Sequence, residues 1–356
     1  MKAEKSNRNS TPILVKVSLT LLLTVIVTGA VAGSLIWARV FKPNVSTAHH
    51  ETAEIYIPSG SDMQDVFRIL EDGNFIKDRT TLEWVARKKN YHNNVRPGRY
   101  RLREGMSNNE LVNMLRSGRQ APVNLSFISQ RTIEDLASVV SRQIEADSAE
   151  IVRLAYNTEF IGSLGFSPRQ IPALFIPNTY EVYWNTTAEQ FYRRMKSEYD
   201  KFWNADRERK RESRNLDRLE VSTLASIVSE ETSKTDEMPV IAGVFLNRIR
   251  RGMPLQADPT IRFALGDFTI NRILRVHLDI DSPYNTYRNP GLPPGPIIIP
   301  PIQAIDAVLN AQDHDYLYFA AREDFSGYHR FARTLTEHNR NARLYQNALN
   351  ERRIFR

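Results

Sequence analysis

The sequence predicts an α+β protein with an apolar N-terminal transmembrane helix, a small α+β module and a larger mixed α+β domain. Three observations predict this. Val17 to Trp37 is a run of 21 residues without a charge. Between residues 53 and 122, two short strand patterns enclose two helical patterns and a third helix follows. From residue 123 onward helical periodicity prevails, broken by a few aromatic, turn-rich strands.

Length and composition set the frame. A chain of 356 residues holds two or three domains. With 41% apolar and 25% charged residues it has the makeup of a globular protein. There is no cysteine, which excludes a disulfide framework and a thiolate metal site.

The apolar run is long enough to cross a bilayer. Lys2, Lys5, Arg8 and Lys16 against Glu4 give the segment before it a charge of four minus one, or +3. This bias places the N-terminus inside and the rest outside the membrane. The expectation is a cytoplasmic tail at 1–16, an anchor at 17–38 and a short polar linker at 39–52, with the protein held in the inner (plasma) membrane. A cleaved signal peptide is the competing reading, but the run is long for one and has no small-x-small cleavage site in a good position.

The module follows. Glu54–Ile57 reads as a strand, and Val66, Ile69 and Leu70 as an amphipathic helix stopping near Gly73. Leu82, Val85 and Ala86 mark a second helix, and Arg99–Leu102 a second strand. Leu111, Met114 and Leu115 lie on a third helix that Ser107-Asn108-Asn109 opens as a cap. The domain after residue 122 begins with helices at Ile133–Val140 and Ile151–Ala155, then an aromatic strand within Phe175–Trp184. The formal net charge is +7, of which the tail supplies three units. Arg207, Arg209, Lys210, Arg211 and Arg214 are interleaved with Asp206, Glu208 and Glu212, a solvated helix face and not a nucleic-acid site.

The densest signals lie in residues 221–345. Stepping back from Glu231 by three, four and seven reaches Val228, Ile227 and Leu224, an apolar helix face. Stepping back from Glu230 by four and seven reaches Ser226 and Thr223, a polar face. The pattern predicts that Glu230 faces solvent and Glu231 points with the buried stripe, where lost hydration raises a carboxyl pKa. A glutamic acid still protonated near neutral pH serves as a general acid. A second helix begins after Pro239, and proline-restricted loops follow at 252–260, 282–287 and 291–296. Pro301 suits the first turn of a helix through Leu309, and Tyr316–Phe319 reads as a buried strand. His329 and His338 have no HExxH spacing, so no metal is expected, and turn or core roles are favoured for both. There is no GxSxG, Walker A or GxGxxG motif, and no lysine in a Schiff-base context; no cofactor is expected.

Leu224-Ala225-Ser226-Ile227-Val228-x-x-Glu231-Thr232, Val244-Phe245-Leu246-Asn247-Arg248, Leu255-Gln256-Ala257-Asp258-Pro259-Thr260, Tyr284-Asn285-Thr286-Tyr287 and Gly291-Leu292-Pro293-Pro294-Gly295-Pro296, in that order, resemble the MltG (YceG-like) family of membrane-anchored endolytic murein transglycosylases. The motifs run from Leu224 to Pro296, 73 residues, and with the anchor and module the resemblance covers nearly the whole chain. Ser229 stands where the family often has an acidic residue. The resemblance implies a LysM-like module at 53–122, a YceG-like catalytic domain at 123–350 and Glu231 as the catalytic glutamate. It also implies cleavage of peptidoglycan glycan strands with 1,6-anhydro ring formation, ending their elongation, and peptidoglycan synthases as partners. Among nearby groups, Gln256 and Asn285 are candidates to hydrogen-bond an acetamido group, and Tyr284 and Tyr287 to stack on a sugar or orient the glutamate. Asp258 is the one carboxylate that could assist directly, with a turn-fixing role favoured. Two readings compete: a noncatalytic glycan-binding scaffold, and a muramidase using Asp258 as second carboxylate.

Overall fold

The computed structural model describes residues 13–48, 50–270 and 272–352. Residues 1–12 of the expected cytoplasmic tail, with Lys2, Glu4, Lys5 and Arg8, lie outside the described residues. The first element is a helix, α1 (Ile13–Phe41), of 29 residues. At 1.5 Å per residue it is about 44 Å long, more than a hydrocarbon core requires. It is the one helix among the described residues long and apolar enough to cross a membrane. Its leucines and valines from Val15 to Leu35 are exposed, Leu19 at 68%. Thr20 and Thr24 donate their hydroxyls to carbonyls four residues back, so the polar groups are satisfied within the helix.

The remainder divides into two compact units, one running to Pro122 and including Tyr183–Asn185, the other holding Val123–Val182 and Thr186 onward. In the first, β1 (Thr52–Ile57) leads into α2 (Met63–Asp72), α3 (Arg79–Lys88), β2 (Gly98–Arg103) and α4 (Asn108–Ser117). β1 and β2 pair antiparallel, Thr52 opposite Arg103 and Ile57 opposite Gly98. Strand alternation puts Ile55, Ile57, Tyr100 and Leu102 on one face. They are buried with Val66, Phe67 and Leu70 of α2, Leu82 and Val85 of α3, and Leu111 and Leu115 of α4. Capping boxes open α2 at Asp62 and α4 at Ser107.

The expected polar linker differs in the structure. Asn44, Val45 and Thr47 are buried. The Asn44 amide donates to the Asp78 carbonyl at 2.8 Å and to Asn108 Oδ1 at 2.7 Å, and its Oδ1 accepts the Asp78 N–H at 2.8 Å. Asn108 in turn donates to the Arg39 carbonyl at 2.9 Å. Two buried asparagines therefore fasten the segment after α1 to its own unit; polar residues there satisfy backbone groups instead of meeting water.

The second unit opens with β3 (Val123–Phe127), α5 (Ile133–Ser141), α6 (Ser148–Ala155), α7 (Thr158–Ser163) and β4 (Asn178–Val182). β4 returns antiparallel to β3. α8 (Ala188–Phe202), α9 (Ala205–Ser213), α10 (Arg218–Glu231), α11 (Met238–Arg250), α12 (Asp258–Leu265) and α13 (Ile302–Leu309) follow, then β5 (Tyr318–Ala321), β6 (His329–Ala332) and α14 (Leu335–Glu351). α9 buries none of its side chains, the solvated face its charges predict. α10 sits at the centre, and every residue from Val221 to Val228 is buried. Pro301 is the N-cap of α13 and not its first helical residue. The strand near 316–319 begins at Tyr318, pairs with β6 and is half-buried throughout, because its single partner strand and α14 leave part of it open.

Candidate active site

Burial of α10 on all sides corrects one step of the helix-face reading. Ser226 and Thr223 are 0% and 1% exposed, so the polar stripe does not meet water. Ser226 donates its hydroxyl to the Thr223 carbonyl at 2.7 Å and accepts the Ile297 N–H at 3.0 Å. It thus pins the end of the proline-rich loop to the helix. Only the last turn leaves the core, and there Glu230 and Glu231 are both half-buried. They part by direction. Glu230 points to Arg131, 3.5 Å away. Burial pushes the Glu231 carboxyl up to about 8, Asp258 and Glu230 add to the rise, and Arg262 and Arg248 oppose it.

Arg248 is the hub behind this carboxyl. It lies on the apolar helix α11 and is 7% exposed. Its Nε donates to the Leu317 carbonyl at 2.7 Å. Its Nη1 donates to the carbonyls of Leu255 at 2.9 Å and Pro254 at 3.2 Å, and to Gln256 Oε1 at 3.3 Å. The guanidinium lies over the Tyr318 ring at 5.0 Å. One buried cation therefore ties the 254–256 loop to the start of β5. Burial draws its pKa down, and Tyr318, Tyr287 and Glu231 hold it up.

Gln256 is exposed, with a backbone φ of +51°, and hands its N–H to the Thr286 carbonyl at 3.1 Å. Thr286 accepts the Ala257 N–H at 3.0 Å on its hydroxyl and shares a 2.8 Å hydroxyl contact with Thr260. These bonds set the entry into α12, where Asp258 is the first helical residue. Asp258 caps nothing: its Oδ1 accepts the Tyr287 hydroxyl at 2.5 Å. Burial, with Asp258 and then Glu231 adding to it, holds the Tyr287 phenol well above its usual range.

Glu231, Asp258, Tyr287 and Gln256 thus gather around Arg248, whereas two expected contact residues lie behind them. Asn285 is 0% exposed. Its amide donates to the carbonyls of Leu278 at 2.9 Å and Ile280 at 2.8 Å, and its Oδ1 accepts the Tyr287 N–H at 3.0 Å. Nothing of that side chain remains for an acetamido group; it is a brace under Tyr287. Tyr284 is 8% exposed and packs its ring 4.6 Å from Phe263, which makes it core and not a sugar platform. His329 gives its N–H and Nδ1 to the two oxygens of Glu237, each at 2.8 Å, tying β6 to α11. His338 stacks on Tyr318 at 5.4 Å.

Sequence reasoning missed Arg248, Ser226 and Thr286 as parts of the site. The signal for Arg248 was present, since an arginine inside the apolar run Ile241–Ile249 demands a buried partner. Nothing local marked Ser226, whose partner is 71 residues away. An open groove of about 710 Å³ passes the end of α10 on the Glu230 side, between Ser126–Ser129, Pro177–Thr179 and Pro301–Gln303. Ser229, Glu230 and Thr232 line it, and Glu231 does not.

Comparisons with known proteins bear on the same residues. The YceG-like family model matches residues 55–344. An endolytic murein transglycosylase of Streptococcus pneumoniae serotype 2 is 30% identical over 327 residues, covering 82% of this chain and 58% of that protein. The chain thus spans little more than half the length of its pneumococcal relatives. The endolytic murein transglycosylase of Bacillus subtilis strain 168 is 27% identical over 339 residues, covering 90% of this chain and 92% of the relative. A crystal structure of a yceG-like protein from Listeria monocytogenes superposes with a TM-score of 0.54 at 29% identity, over 82% of this chain and 98% of the other. A family match that spans both compact units and takes in Glu231, Arg248, Asp258 and Tyr287 settles the kinship: the chain belongs to the YceG-like family.

Proposed function

We propose that the chain is an endolytic peptidoglycan lytic transglycosylase that cuts nascent glycan strands outside the membrane and so ends their elongation. Glu231 is its single acid and base. The observation that carries this is a glutamic acid at the open end of a buried helix whose carboxyl titrates near 8, so that it holds a proton at neutral pH. The names of the pneumococcal and Bacillus relatives support the same chemistry.

The reaction needs one carboxyl used twice. Glu231 protonates the glycosidic oxygen between N-acetylmuramic acid and N-acetylglucosamine, with the muramyl N-acetyl group assisting at the anomeric carbon. The carboxylate then takes the proton of the sugar's 6-hydroxyl, which closes the 1,6-anhydro ring without water. Asp258, which accepts the Tyr287 hydroxyl, adds to the rise in the Glu231 pKa and so favours its protonated state. Arg248 and Arg262 then stabilise the ionised form. Residues 53–122 act as a LysM-like module, and α1 is a single-pass anchor with its N-terminus cytoplasmic. Synthases that extrude the strand are the partners this activity requires.

The test is product analysis by mass spectrometry with purified peptidoglycan and the detergent-solubilised protein, beside Glu231→Gln. Fragments ending in 1,6-anhydro-muramic acid, one water lighter than hydrolysis products and absent with Glu231→Gln, are expected. Reducing ends would instead make the protein a muramidase and turn Asp258 into a second catalytic carboxylate; binding without products would make it a scaffold.

A further inference from the structure

The first unit carries a cationic pocket that the cutting chemistry does not use. β2 turns Arg99, Arg101 and Arg103 to its outer face, since alternate residues of a strand share a face. Opposite them β1 offers one acid, Glu54. Arg99 takes both Glu54 oxygens, one through Nε at 2.8 Å, and Arg101 reaches only to 3.5 Å. Among the described residues no ion pair is found for Arg103 or Arg119. Beside this strand edge and α4 lies a pocket of about 480 Å³ lined by Arg101, Arg103, Arg119, Glu110, Asn113, Met106 and Met114.

The inventory of polar groups selects the ligand. Three arginines against one carboxylate leave two positive charges in the lining, three minus one. Glu110 Oε2 accepts the Ser107 N–H at 2.9 Å and hydroxyl at 2.8 Å at the start of α4, and the carboxylate also interacts with Arg103. The Asn113 carbonyl oxygen takes the Lys89 ammonium at 2.8 Å, leaving its NH₂ end, which makes one long bond of 3.4 Å to Asn109. What the pocket presents is therefore mainly donors, three guanidiniums against the one Glu110 carboxylate. The Gly118 turn after α4, at φ +69°, aims Arg119, whose Nε donates to Ser117 at 3.2 Å. Guanidinium forks match carboxylate oxygens in pairs. Met106 and Met114, both largely buried, supply adaptable apolar walls. Donors over an apolar wall fit a carboxylate carried on aliphatic carbon better than a sugar ring or a bare phosphate.

We propose that this pocket binds a carboxylate of the peptide stems that branch from the glycan strand, so that the module reads stems and not sugar faces. This rests on peptidoglycan being the substrate. The test uses full-length protein in detergent carrying Glu231→Gln, so that strands are bound and not cut. Its affinity is measured for intact strands and for strands stripped of stems by an amidase, with the lactyl carboxylates that the amidase exposes then capped as methyl amides. Intact strands should bind on the order of tenfold more tightly. Arg103→Ala with Arg119→Ala should erase that preference and leave binding to stripped strands unchanged, which also shows that the fold survives. Arg209→Ala on the solvated α9 should change neither. Equal binding of both substrates by the parent protein, a preference that survives the double variant, or an equal loss with Arg209→Ala overturns the proposal. So does displacement by inorganic phosphate at concentrations where a free stem peptide has no effect. Cutting of intact strands by protein with Glu231 intact is read in parallel. If cutting fails while stem preference persists, the catalytic reading falls and this site stands.

Discussion

At the residue scale, the protein's chemistry comes down to one proton on Glu231. With that carboxyl near 8, cutting should be flat from about pH 6 to 7.5 and fall about tenfold per pH unit above 8, as the acid form disappears. Initial rates across that range, with product read by mass spectrometry, check this. Asp258 contributes to the raised value, so Asp258→Asn lowers it and moves the alkaline limb to lower pH; a limb that stays in place removes Asp258 from the tuning. Stability carries the opposite lesson. The folded state holds the Glu231 proton up to about 8, whereas an unfolded glutamate releases it near 4.5. Between those values the folded state binds more protons, so stability falls as pH rises through that window. Glu231→Gln has no proton to lose. Its advantage over the parent should be absent at pH 4 and grow to about 2–4 kcal/mol by pH 8, read from urea melts at both pH values.

At the element scale, much was legible because helices and strands announce themselves by period. The two strands and three helices of the first unit follow alternation and the i, i+3, i+4 pattern of Val66, Ile69 and Leu70, and the Ser107 cap was readable from its hydroxyl before a helical run. What failed was long-range. Ser226 looked solvent-facing because periodicity reports polarity, and only the fold shows that Ile297 arrives to use its hydroxyl. Asn285 looked like a ligand contact because its amide can hydrogen-bond an acetamido group, yet two backbone carbonyls occupy it. Asn285→Ala should therefore cost about 2–4 kcal/mol, from stranded buried polar groups, and reduce cutting by loosening Tyr287. The partner test is Gln256→Ala, which loses one 3.3 Å contact at an exposed position and should leave the melting temperature within about 1 °C. Gly295 shows the same geometry in steric form. A Cβ there would stand 2.0 Å from the Arg169 carbonyl oxygen, so Gly295→Ala must displace backbone and should destabilise by more than about 2 kcal/mol.

At the scale of the whole molecule, the chain combines an apolar helix with two units that each bury their own core. By length and composition the helix is able to cross a membrane. Its 29 residues include Arg39 at the last turn, and the described residues from Val17 to Trp37 bring no charge to the apolar stretch. Attachment should therefore be hydrophobic and not electrostatic, although the net charge of +7 would suit an anionic surface. The two causes separate in salt. At 1 M the screening length is about 3 Å and charge attraction between exposed groups is lost, whereas burial of some twenty apolar residues in hydrocarbon is unaffected. The full chain should stay with vesicles of neutral or anionic lipid in 1 M salt and at alkaline pH. The chain beginning at Pro43 should stay in solution with either lipid, because Asn44, Val45 and Thr47 belong to the core of the first unit and travel with it. A chain beginning at Thr52 lacks the Asn44 bonds to Asp78 and Asn108 and leaves Val45's place in that core empty. It should melt lower by several degrees than the chain beginning at Pro43. Equal melting temperatures for the two truncations would return residues 43–51 to the status of a linker. Release of the full chain by salt would make α1 a surface-bound helix and not a membrane span.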